Sequence, residues 1–276
     1  MKKNILFLFS IFCISIQGFS QFYYKDIISN NQLVATMQAY KAKKVKTIKI
    51  NSLESDGSPS TGFFCQKKIS RDFRSSDLYT RTEMSGASQL TSSFNADGLL
   101  TSTYDSSDLA VAINRFSYDE NKRLLKTISF QRSSDDDFNT EVVEEHIYSY
   151  NAAGFPEKMY RVKNYKDTSL FLFAADEHNN VSVEKDTRTG SKYYYYYDSR
   201  NRLTDIVQAS DYTKHLVPDY QFEYNASGNI SQMTTTENGG EYYYIWKYSY
   251  DDGLRVLEKC FNKERKLLGS MEYVYN

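Results

Sequence analysis

Residues 193–203 read Tyr193-Tyr194-Tyr195-Tyr196-Tyr197-Asp198-Ser199-Arg200-Asn201-Arg202-Leu203. Asp198 can bond the backbone two residues on and so opens a turn. Asn201 tolerates the left-handed backbone that closes a short hairpin loop. Strand side chains alternate between faces, so Tyr193, Tyr195 and Tyr197 share one side of the incoming strand. The stretch predicts a β-hairpin entered along an aromatic face.

The same unit recurs outward from this point: an aromatic, Asp or Asn, two variable residues, Gly or a substitute, a polar residue and an aliphatic. Tyr118-Asp119-Glu120-Asn121-Lys122-Arg123-Leu124 and Tyr224-Asn225-Ala226-Ser227-Gly228-Asn229-Ile230 are further copies, and Tyr250-Asp251-Asp252-Gly253-Leu254-Arg255-Val256 carries its Gly one place early. Weaker copies begin at Phe94, Tyr150 and Phe261; Asp176 to Val181 keeps the turn without the aromatic, and Tyr275-Asn276 opens another. The spacing between successive turns leaves room for a returning strand each time, which predicts an antiparallel meander.

On these residues the chain resembles the YD-repeat, or RHS-like, proteins of bacterial cell surfaces and secretions, over roughly residues 92–276. The resemblance implies hairpin architecture and a binding role at a surface. Large members wind such hairpins into a shell around a toxin. This chain shows no toxin or self-cleavage segment, so encapsulation is not carried over.

Residues 1–20 have the order of a secretory signal peptide: Lys2 and Lys3, an apolar run from Ile5 to Ile16, then Gly18-Phe19-Ser20 before a cut at Gln21. The expected location is therefore outside the cytoplasm: periplasm, cell surface or medium. Residues 21–90 are expected to hold a helix and the first strands, and residues 91–276 the hairpin repeats. The helix is placed at 29–43, with Ser29 and Gln32 as a capping box and Leu33, Val34, Met37 and Tyr40 at helical spacing. Lys41, Lys43, Lys44 and Lys46 suit its C-terminus. An oxidising compartment permits a disulfide between Cys65 and Cys260; the other reading is two separate buried thiols acting as small hydrophobes, and geometry decides between them.

The aromatic alternation extends beyond the opening stretch. Tyr242, Tyr244, Trp246, Tyr248 and Tyr250 occupy every second position of one segment, and Tyr220, Phe222 and Tyr224 do so in another. Aligned hairpins would merge these into one continuous sheet face. That face is either a core or, where exposed, a platform for sugar rings or an extended partner. Tyr242, Tyr244, Trp246 and Tyr248 are the candidate ligand-binding residues, with Tyr195 and Tyr220 as neighbours.

Composition narrows the classes of function. Among 276 residues, 34 Lys and Arg against 35 Asp and Glu give no basic field for nucleic acid. The 25 Tyr and 17 Phe beside 3 Pro favour sheet. His146, His178 and His215 lack ligand spacing, and no catalytic, phosphate-loop or dinucleotide motif occurs. The acidic run Asp135-Asp136-Asp137 with Asn139 and Glu141 lacks the Gly and Glu of a calcium loop and reads as a solvated hairpin loop. The expectation is an exported, non-catalytic, mainly all-β protein: a meander of YD-type hairpins forming a curved, twisted sheet, with one short N-terminal helix. Its expected partner is a glycan or an envelope or extracellular protein. No cofactor, metal, nucleic acid or integral membrane segment after signal cleavage is expected. Two alternatives are a scaffold that pairs through its sheet edges and a glycan-processing enzyme marked by two convergent carboxylates.

Overall fold

The computed structural model describes residues 22–134, 141–209, 216, 218–237 and 240–276. The signal-peptide reading, the acidic run from Asp135 to Asn139 and His215 lie outside the described residues. Among the described residues one helix, α1 (Tyr24–Ala42), precedes eighteen strands. The strands are β1 (Thr47–Glu54), β2 (Phe64–Ile69), β3 (Ser75–Thr82), β4 (Gly86–Phe94), β5 (Leu100–Ser107), β6 (Ala110–Tyr118), β7 (Leu124–Ser133), β8 (Val142–Tyr150) and β9 (Pro156–Lys163). They continue as β10 (Asp167–Ala175), β11 (Val181–Asp186), β12 (Lys192–Tyr197), β13 (Leu203–Ala209), β14 (Pro218–Tyr224), β15 (Ile230–Glu237), β16 (Tyr242–Asp251), β17 (Leu254–Phe261) and β18 (Leu267–Tyr275).

Every strand pairs antiparallel with the next, as the sequence predicts. The sheet does not stay open, however. β1 also pairs with β18, from Ile48–Tyr275 through Glu54–Gly269, so the meander closes into an up-and-down barrel. This corrects the expected open, curved sheet. Strand twist accumulates in one direction, and a β-bulge adds to it beside Phe94, Tyr118, Tyr150, Ala175, Tyr197, Tyr224, Tyr250 and Phe261. Closure leaves the ring without an unpaired edge, which removes the basis for a scaffold working by sheet-edge pairing.

The repeat turns form as the sequence dictates. At Asp198 the backbone N–H donates to the Arg202 carbonyl, and the Asn201 N–H donates to the Asp198 carbonyl, both at 2.9 Å. The Asp198 carboxylate accepts the N–H groups of Arg200 and Arg202 at 2.9 and 3.0 Å. Asn201 sits at φ 58° and Gly228, its counterpart, at φ 86°. Each turn tyrosine then reaches back to the preceding hairpin. The Tyr118, Tyr150, Tyr197, Tyr224 and Tyr250 hydroxyls donate to the carbonyls of Leu100, Leu124, Val181, Leu203 and Ile230, at 2.6–2.9 Å. Tyr275 does the same to Arg255 at 2.6 Å. These hydroxyls explain why the repeat uses Tyr where Phe would fill the same space.

An up-and-down ring has two rims. Turns after even-numbered strands, which include most repeat units, lie on one rim, and turns after odd-numbered strands on the other. α1 spans the first, or turn, rim. Its C-terminal Lys43 pairs with Asp252 in the β16–β17 turn, and Asn30 donates to the Tyr118 hydroxyl at 2.7 Å. Asn31, Gln32, Ala35, Gln38 and Lys41 face solvent, while Asn30 and Met37 are buried. Two apolar clusters flank the helix. One gathers Phe22 and Tyr23 with Tyr148, Met159, Phe171 and Tyr195, and the other Met37 and Val45 with Ile48, Cys65, Leu100 and Met271.

The helix begins five residues before the predicted Ser29, at Tyr24. Ser29 therefore lies inside it and caps nothing. Cys65 and Cys260 are free, buried thiols, on β2 and β17, with β1 and β18 between them. On the outer wall, strand parity places Lys49, Lys68, Lys126, Glu145, Lys247 and Glu272 outward. The same parity turns Ile113, Phe130, Tyr160, Leu170 and Tyr194 outward, so the outer wall of the described residues mixes charged and apolar side chains. No described helix is long and apolar enough to cross a membrane.

Candidate functional site

The aromatic face of the repeats is the inner wall of the barrel. On β16, Tyr242 stands opposite Glu237, Tyr244 opposite Thr235, and Trp246 between Met233 and Cys260. Exposure falls along the strand. Tyr242, nearest the rim opposite α1, is 45% exposed, whereas Tyr244, Trp246 and Tyr248 are half-buried. Met233, Thr235 and Phe222 on the neighbouring strands are half-buried too. Inner-wall side chains of a closed ring that still meet solvent mark a lumen accessible from the rim α1 does not cover. Tyr248 lies deeper, under the Arg255 guanidinium at 4.2 Å from its ring centre, and burial pushes its hydroxyl above the usual tyrosine range.

The other two candidates belong elsewhere. Tyr195 is 3% exposed; its ring meets Tyr24 edge-on at 5.2 Å and its hydroxyl donates to Glu184 at 2.8 Å. It is a core residue and leaves the ligand-binding set. Tyr220 stacks on Phe222 at 6.3 Å and sets its edge against Phe22 at 5.9 Å, so it supports the segment leading into α1. The structure brings Tyr242, Tyr244 and Trp246 together along one strip of the lumen, and among the described residues the alternating repeat aromatics face inward.

A second polar cluster, unread in the sequence, joins α1 to β8–β12. Glu184 of β11 accepts the backbone N–H of Tyr23 at 2.8 Å and that of Tyr24 at 2.9 Å, satisfying helix N-terminal donors from across the barrel. Burial raises its carboxyl to about 7, against the pull of those hydrogen bonds. Asp26, in the first turn of α1, meets His146 Nδ1 at 2.5 Å, and Glu144 meets His146 Nε2 at 2.9 Å. Burial would lower the imidazole pKa, but the two carboxylates outweigh it and hold it at about 9. The Tyr148 hydroxyl lies 3.0 Å from Asp26, and Arg161 donates to the Tyr23 hydroxyl at 2.8 Å. Parity could have found half of this cluster: extending the Tyr148–Tyr150 alternation backwards puts His146 and Glu144 on the same inner face.

The chemistry of this cluster is anchoring. An Asp–His pair serves as a catalytic base when one ring nitrogen remains open to take a proton from a nucleophile. Here both nitrogens are engaged by carboxylates. Asp26 and Glu144 do converge, but on the imidazole, and Glu184 is occupied by three donors. Among the described residues no group of three His, Cys, Asp or Glu side chains is arranged to hold a metal ion.

No family model matches the chain, and no curated protein matches it. Among solved structures it is similar to a porin-like protein from Bacteroides uniformis, at 11% identity and a TM-score of 0.40, over 84% of this chain and 96% of that one. A porin-like protein from Bacteroides vulgatus gives 13% identity and a TM-score of 0.30, over 84% and 99%. The toxin assembly TcdB2-TccC3-TEV gives 11% and 0.35, over 79% of this chain and 12% of that one, so the chain spans about an eighth of the toxin's length. At this level of similarity none of them assigns the chain a function.

Proposed function

We propose that this protein is an exported, non-catalytic binding barrel of the cell envelope. Its lumen takes a small ligand, with a glycan as the leading class, against the aromatic strip of Tyr242, Tyr244 and Trp246. The observation that carries this reading is the graded exposure of β16 along the inner wall: three large aromatics in sequence remain open to solvent inside a closed ring. Binding pockets combine such apolar walls with a few polar groups, and Tyr and Trp offer rigid contact area with a polar tip. The occupied nitrogens of His146 support the non-catalytic part.

Trp246 is the chain's single Trp, so its emission reports the lumen alone. Titration with a panel of cell-wall oligosaccharides should shift that emission with one glycan class. Tyr244→Ala should then weaken binding at least tenfold while leaving the melting temperature within a few degrees. A Trp246 signal indifferent to every glycan, in protein shown folded by circular dichroism, would remove glycans as the ligand.

A further inference from the structure

The open rim of the barrel carries a set of exposed apolar side chains that neither the core nor the lumen explains. Leu109, Tyr165, Met84 and Leu216 are 77, 67, 66 and 56% exposed, the highest values among large hydrophobic side chains of the described residues. They stand on the connections β5–β6, β9–β10, β3–β4 and β13–β14. All four connections follow odd-numbered strands, so Met84, Leu109, Tyr165 and Leu216 belong to the rim opposite α1. The repeat turns of the other rim, at 95–98, 119–122, 151–154, 176–179, 198–201, 225–228 and 251–253, contain no aliphatic larger than Ala and no Phe, Tyr or Trp. The turn between β2 and β3 on that rim holds Phe73, which is half-buried against the second apolar cluster.

Tyr165 strengthens the observation. The chain reverses between Lys163 and Lys166 through Asn164 at φ 48° and Tyr165 at φ 60°, with the Lys166 N–H donating to the Lys163 carbonyl at 3.1 Å. Such a turn favours Asn followed by Gly. A bulky side chain in that left-handed position is strained, and this one also exposes its ring to water. Neither local conformation nor packing accounts for it.

From this arrangement we infer that the open rim docks on a lipid bilayer, with Met84, Leu109, Tyr165 and Leu216 dipping into its interfacial layer. The spread of the tips selects the partner. The β3–β4 and β13–β14 connections lie on opposite sides of a ring on the order of 30 Å across, given the spacing of neighbouring strands. A protein pocket would engage one or two such tips. A plane that accepts an isolated apolar side chain wherever it lands engages all of them, and a membrane surface has that property. Charged neighbours of both signs, Glu83 and Asp108 as well as Lys163 and Lys166, then lie at headgroup level. With no net excess of positive charge, insertion of apolar side chains drives the contact, and salt leaves it largely intact. The lumen mouth at Tyr242 opens on the same rim, so docking turns the aromatic strip towards the bilayer.

The test is flotation of the purified exported protein with vesicles of phosphatidylethanolamine and phosphatidylglycerol, at low and at high salt. The wild type should float with the vesicles in both. Met84→Ser, Leu109→Ser and Tyr165→Ser combined should cut the bound fraction at least tenfold. Leu33→Ser, which removes an exposed leucine of α1 on the covered rim, should change nothing. Circular dichroism and a melting curve establish that the triple variant is folded. A wild type left at the bottom of the gradient overturns the inference, as does a folded triple variant that floats as well as the wild type. If light scattering instead shows a dimer that the triple variant loses, without flotation, the rim joins two copies of the chain and the lipid reading falls. Glycan titration of Trp246 is independent of these outcomes, so failure here leaves the lumen reading standing and the converse also holds.

Discussion

His146 holds a proton between Asp26 and Glu144 at the point where α1 enters the barrel, and that proton ties folding to pH. Its folded pKa, about 9, lies above the ordinary 6.5. The stabilisation is therefore complete below about pH 6.5 and is lost as pH rises through 9. Glu184 acts in the same direction over a lower window: raised from 4.5 to about 7, its contribution is present below 4.5 and fades as pH rises through 7. Asp26 acts oppositely. Desolvation works against its charge, but the His146 imidazolium holds it below the usual range, so its stabilisation exists above pH 3.8 and disappears in acid. Thermal unfolding followed across pH should show the highest melting temperature near pH 5 and a decline towards pH 9. His146→Gln should flatten the alkaline decline and cost about 3 kcal/mol at pH 6, the usual result of stranding buried carboxylates. An unaltered profile in that variant would place the titrating group elsewhere. None of this was legible beforehand, because His146, Asp26 and Glu184 are distant in sequence and form no motif. Only the parity of β8 held a hint.

At the scale of the element, the hairpin repeat is the most legible feature of the chain. Asp198, Asn225 and their counterparts bond backbone within their own turns, so their structure follows from a few adjacent residues. The function of the turn tyrosine is less local. Tyr150 donates to Leu124 in the preceding unit, and Arg123 of that unit lies 4.6 Å from the Tyr150 ring. Arg202 and Tyr224 repeat the arrangement at 4.4 Å. The hydroxyl links each of these units to the one before it, and at Tyr150 and Tyr224 a guanidinium of the preceding unit adds a second contact. Tyr150→Phe and Tyr224→Phe should each lower stability by about 1 kcal/mol, as a half-buried carbonyl loses its donor. Urea denaturation with an unchanged slope would measure it, and variants as stable as the wild type would show that solvent replaces the hydroxyl. The helix shows the opposite case. Its apolar spacing was readable, but its start was not, because the group that caps it, Glu184, comes from β11.

For the whole molecule, closure is decisive. Pairing of β1 with β18 turns a sheet with two open edges into a ring, places the aromatics inside and gives the protein two unlike rims. Deleting residues 267–276 should expose the ladder edges of β1 and β17 and produce aggregates visible by light scattering, with loss of cooperative melting. A truncation that neither aggregates nor melts differently would mean that closure is dispensable. By itself, the sequence determined the antiparallel hairpins, their turns and the alternation that gathers Tyr242, Tyr244 and Trp246 on one face, since each depends on neighbours a few residues apart. The tertiary structure alone decided that this face looks inward, that Tyr195 is core, that Cys65 and Cys260 stay apart, and that Met84, Leu109 and Tyr165 share a rim. Those facts depend on accumulated twist and on Ile48 meeting Tyr275, a pairing between segments near the two ends of the described chain that no local pattern encodes.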